Sequence, residues 1–76
     1  VSTDAAHQAR RLEADARAHE HAARTHERWA RRHERAGLAR LAKRSRDAGE
    51  REMAIAKVAR DTAWVWLRIA ERGEAA

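Results

Sequence analysis

The 76-residue chain contains no cysteine, no proline, no phenylalanine and no tyrosine, and only three glycines. Without cysteine there is neither a disulfide framework nor a thiolate metal site. Without proline, nothing in the sequence forces a long helix to stop. No apolar run approaches the roughly 18 residues of a membrane span, and the N-terminus lacks the apolar core of a signal peptide. The expectation is a soluble, cytoplasmic protein with no membrane span. Bulky apolar residues are also scarce. Of the 43% hydrophobic content most is alanine, and the larger groups lie mainly between Met53 and Ile69. One small domain near the lower size limit for folding on its own core follows from this. Such a chain is expected to associate with itself.

Catalytic patterns are missing as well. There is no glycine-rich phosphate loop, Ser45 has no base in a recognisable arrangement, and His19-Glu20, His26-Glu27 and His33-Glu34 lack the second histidine of an HExxH zinc motif. The reading is of a protein that is not an enzyme.

What the chain has is a seven-residue repeat. From residue 5 it runs AAHQARR, LEADARA, HEHAART, HERWARR, HERAGLA. The first place holds Ala5, Leu12, His19, His26 and His33; the fifth holds Ala9, Ala16, Ala23, Ala30 and Gly37. A sustained period of seven marks a long helix packed along one seam. At 100° per residue the buried face is expected to include Leu12, Ala16, His19, Ala22, Ala23, His26, Trp29, Ala30, His33 and Ala36. On its flank Arg10, Glu13, Arg17, Glu20, Arg24, Glu27, Arg31 and Glu34 alternate in sign. Glu13–Arg17, Glu20–Arg24 and Glu27–Arg31 are spaced for pairing along the helix.

Ser2, Thr3 and Asp4 offer capping oxygens for the start of this helix. The pattern predicts a single helical domain over 1–76: helix one at about 4–46, a turn at about 46–49, and helix two at about 50–72, stopped by Gly73. Gly37 is then a bend in helix one, or a point where another helix comes close. Asp47 with Glu50 resembles a capping box, and Gly49 supplies the left-handed turn residue. The fold class is all-α, a long antiparallel helical hairpin, kinked at Gly37 if that glycine bends it, self-associating into a four-helix bundle. Folding back near residue 48 places Trp66 and Ile69 beside Trp29 and Ala30, and leaves Leu12, Ala16 and His19 overhanging. The overhang points to a homodimer or higher oligomer whose interface is Leu12, Ala16, His19, Ala23, His26, Ala30 and Trp64.

Two ligand readings follow. Residues 35–46, RAGLARLAKRSR, are basic without an acid. With Arg28, Arg31 and Arg32 they make a basic elbow in which Arg28, Arg31, Arg32, Arg35, Arg40, Lys43, Arg44 and Arg46 contact an anion such as nucleic acid. Leu38 to Ser45, LARLAKRS, resembles the opening of a helix-turn-helix, with Arg46 where that motif's turn glycine belongs. Leu38, Leu41 and Ala42 with Gly49 and Ala54 are similar to one tetratricopeptide helix pair. The competing reading takes a transition metal or haem through His19, His26 and His33, shared between chains because residues seven apart stand about 10 Å apart on one helix. If these imidazoles are instead buried and neutral, association is expected to weaken as pH falls. A third reading is a pure protein–protein assembly module.

Overall fold

The computed structural model describes residues 3–75. They form two helices, α1 (Thr3–Arg35) and α2 (Ala39–Ala75), folded back on each other as a hairpin of 60 × 12 × 11 Å. The all-α hairpin expected from the heptads is present. Its turn is not where the sequence placed it. Ser2, one of the expected caps, lies outside the described residues, and α1 begins at Thr3.

The chain reverses at Ala36–Leu38. Gly37 has φ 76°, the one positive value among the described residues. The Leu38 amide donates to the His33 carbonyl at 2.8 Å and the Gly37 amide to the Glu34 carbonyl at 2.9 Å. This pair of bonds is the Schellman closure of a helix C-terminus, and it needs a residue that tolerates the left-handed conformation. The Leu38 carbonyl then accepts from the Ala42 amide at 3.0 Å and starts α2.

Helix α2 runs unbroken through both remaining glycines, to Ala75. The expected turn at 46–49 and the stop at Gly73 are therefore corrected, and helix one ends at Arg35 rather than near 46. No helix-turn-helix or second repeat helix exists within 39–75. Asp47, offered as a cap, instead accepts from Lys43 one turn earlier at 2.9 Å.

Gly49 fails to break α2 because its position rewards a missing side chain. A β-carbon there would stand 3.3 Å from the Ala23 carbonyl oxygen and 3.4 Å from the His26 β-carbon. Gly49 belongs to a second row of small residues: Ala42, Gly49, Ala56, Ala63 and Ala70, seven apart and all buried. The α1 row Ala9, Ala16, Ala23 and Ala30 is buried too. Stepping seven residues either way from the Gly49–Ala23 contact brings Ala42 level with Ala30, Ala56 with Ala16 and Ala63 with Ala9. A reversal at 36–38 puts every small residue opposite another, whereas a reversal at 46–49 would set Trp66 and Ile69 against Trp29 and Ala30. Packing selects the first.

The two helices are thus nearly equal in length, and nothing overhangs. Ala16, Ala23 and Ala30, expected at an interface between chains, are covered by the chain's own α2. Trp29, expected in the core, is 48% exposed. In the true register Trp66 sits near the N-terminal end of α1, far from Trp29. Among the described residues every buried apolar residue is an alanine, and no large side chain is fully buried.

Candidate functional site

The seam between the helices has two different sides. On one, the glutamate row of α1 meets arginines of α2. Arg46 donates through both terminal nitrogens to Glu34, at 2.9 and 2.7 Å, and its Nε lies 3.8 Å from Glu27. Arg60 donates to Glu20 at 2.5 Å. Of the expected pairs along α1, Glu27–Arg31 is formed at 3.5 Å, while Glu20 turns across the seam instead. The Arg46 guanidinium holds the Glu34 carboxyl below its usual value, and Glu34 pushes Arg46 up. A shallow groove lined by Ala23, Glu27, Arg46, Gly49 and Met53 follows this side.

The other side carries the histidines. Nδ1 of His19 donates to the Glu52 carboxylate of α2, which requires the hydrogen on that nitrogen. His26 packs its β-carbon beside Gly49. His33 stacks on Trp29, ring centroids 5.9 Å apart at 27°. Each imidazole of the row has its own neighbour, and the three are not brought together. Among the described residues no group of three or more histidine or carboxylate side chains is placed to hold a metal ion. No polar side chain among them is buried, so the hairpin by itself does not seal the imidazoles from water.

The basic elbow survives its relocation and becomes more compact. All eight of its residues now lie within nine positions of Gly37, so they occupy the last 14 Å or so of the rod at its turned end. Residues 28–46 hold eight of the seventeen basic residues and one of the twelve acidic ones. This end therefore carries seven net positive charges, and the rest of the chain a net charge of −2, against +5 for the whole.

The eight side chains are not equivalent. Arg46 is committed to Glu34 and Glu27 and latches the helices. Lys43 donates to Asp47, which raises its pKa, and Arg31 pairs with Glu27. Arg28 donates to the Thr25 hydroxyl at 3.1 Å, and Arg32 lies over the Trp29 ring at 5.3 Å. Arg35, Arg40 and Arg44 are exposed and make no ion pair among the described residues. The free cations are therefore Arg28, Arg32, Arg35, Arg40 and Arg44, on both arms of the turn.

A further surface lies on α2. Helix α2 presents Ile55, Val58, Thr62, Val65 and Ile69 in alternating steps of three and four, within about 80° of its circumference. Ile55, Val58, Val65 and Ile69 are 47%, 65%, 55% and 43% exposed. The stripe faces away from the α2 alanine row. Trp64, expected at an interface, is 58% exposed on a different flank and lies under Arg68 at 5.6 Å. Leu12, also expected there, is half-buried near the open end. No helix among the described residues is long and apolar enough to cross a membrane.

No protein-family model, curated protein or solved structure matches this chain.

Proposed function

We propose that this chain is a non-catalytic helical interaction module whose turned end binds a polyanion, with nucleic acid as the partner class. The observation that carries the reading is the separation of charge along the rod: net +7 at the turn against −2 elsewhere. Guanidinium groups on helices suit phosphate oxygens, and five of them here have no carboxylate partner. The side chains offered at the turn are guanidinium groups suited to phosphate, so binding is expected to follow phosphate density.

The test is a gel shift with a labelled 20-base-pair duplex and the matching single strand at low salt. Binding that is lost in Arg35→Glu/Arg40→Glu/Arg44→Glu and kept in Arg68→Glu supports the reading. Absence of binding at low salt, or equal loss in both variants, overturns it.

A second reading, assembly between chains, is favoured by a separate observation. The bulky apolar side chains of α2 lie outside a core made of alanine and glycine. Contiguous exposed patches of a few hundred Å² mark interaction surfaces in soluble proteins.

A further inference from the structure

We infer that the apolar stripe of α2 pairs with the same stripe of a second copy, antiparallel, about a two-fold axis at Thr62. This rests on the assembly reading and not on the polyanion reading, and the two fail separately in the experiment below.

Three observations select a second copy and its direction. First, the stripe reads the same from either end: Ile55, Val58, Thr62, Val65, Ile69. A two-fold interface requires such self-complementarity, because each residue meets its counterpart's surroundings from the opposite direction. Antiparallel pairing about Thr62 sets Ile55 level with Ile69 of the second copy and brings Val58 within one residue, about 1.5 Å along the axis, of Val65. The alternating steps of three and four are those of a helix seam meeting another helix.

Second, charge excludes the parallel arrangement. Arg51 and Arg44 continue the line of the stripe toward the turn. Parallel copies would stack Arg51 on Arg51, Arg44 on Arg44, and one basic tip on the other, all like charges at close range. In the antiparallel pair Arg44 extends beyond the end of the second α2. Arg51 comes level with Gly73 of the second copy, next to the helix C-terminus, where the backbone dipole is negative.

Third, the buried core of the hairpin is alanine and glycine, while Ile55, Val58, Val65 and Ile69 stand exposed outside it. Small helical domains generally bury such residues by association. The dimer is then a four-helix assembly with α2 paired to α2 at its centre. Gly37 precedes Thr62 by 25 residues, so the two basic tips stand at opposite ends, about 75 Å apart along the axis. An assembly of that shape bridges two anionic segments rather than clamping one.

The chain has no cysteine, so spin labels can be placed singly. Sedimentation of the full chain and of Val58→Glu/Val65→Glu, with nitroxides on Lys43→Cys and Lys57→Cys, tests the inference. The expected result is a dimer that the double variant converts to a monomer of unchanged helicity, since neither valine supports the hairpin. The axial label separations should be about 57 Å at residue 43 and about 15 Å at residue 57. A dimer with equal separations at both sites overturns the antiparallel pairing and leaves assembly standing. A dimer that survives both glutamates overturns the stripe as the interface. A monomer at 50 µM, or a monomer whose stripe takes it onto phospholipid vesicles, overturns self-pairing altogether.

Discussion

Gly49 rests on Ala23 so closely that a β-carbon on the glycine would stand 3.3 Å from the alanine's carbonyl oxygen. The relationship sets the register of the hairpin, because the small residues of both helices repeat every seven positions from this contact. It also reverses the roles of two glycines. Gly37 makes the turn and has nothing within 4 Å of a would-be side chain, while Gly49 makes the close approach.

The two glycines should therefore respond unequally to substitution. Gly37→Ala meets no atoms but must hold φ 76°, which costs about 1–2 kcal/mol for a residue with a β-carbon. Gly49→Ala gains about 1 kcal/mol of helix propensity, offset by the crowding against Ala23, and should change stability by less than about 1 kcal/mol. Urea unfolding of the two variants checks the order. A Gly49→Ala variant less stable than Gly37→Ala would contradict it.

The alanine rows predict intolerance of size. Ala16 and Ala30 have no exposed surface, so leucine at either should cost about 1–3 kcal/mol by overpacking. Leucine at exposed Ala14 should be near neutral. Thermal melts followed by circular dichroism separate the cases.

The Glu34–Arg46 latch predicts an acid limb. The Glu34 carboxyl is held below its ordinary value in the folded chain by the Arg46 guanidinium, so the folded state favours the ionised form. Its contribution is complete above the unfolded carboxyl pKa and is lost as pH falls through the lowered folded value. The melting temperature of Glu34→Gln should lie below that of the parent at pH 7 and converge with it near pH 2. A constant gap across that range would show that ionisation of Glu34 is not the source.

The histidine row predicts indifference to metal. His19, His26 and His33 are held by Glu52, the Gly49 contact and Trp29 respectively. Equimolar zinc or nickel should leave the melting temperature unchanged, since a ligand stabilises only by binding the folded form. Stoichiometric metal in the purified protein that disappears in His26→Ala would show that the imidazoles of different chains share an ion.

The repeat in α1 was legible because five heptads repeat both an alanine and a charge pattern. The turn was not. Gly37 and Gly49 both follow long helical runs, and local chemistry favoured the second, with Asp47 and Glu50 arranged like a cap. What distinguishes them is the row Ala42, Gly49, Ala56, Ala63 and Ala70, in which the period of seven continues through the second half. That row places Gly49 in a seam and leaves Gly37 to turn. The misplaced turn carried two other errors with it: the overhang of Leu12, Ala16 and His19, and the pairing of Trp29 with Trp66. The basic residues stay together because 28–46 is centred on Gly37, and a turn there gathers both arms at one end. The partner of Arg46 could not be read, since it depends on register across the seam and not on spacing along a helix.

The polyanion reading of the turned end is tested most directly by the salt dependence of binding to a labelled duplex, measured by fluorescence anisotropy. The logarithm of affinity should fall linearly with the logarithm of salt concentration, with a slope near −0.9 for each phosphate neutralised. Replacing Arg35, Arg40 and Arg44 with alanine should flatten that slope by about three units if each holds one phosphate. A slope unchanged by the triple substitution, or no binding at low salt, would contradict the account.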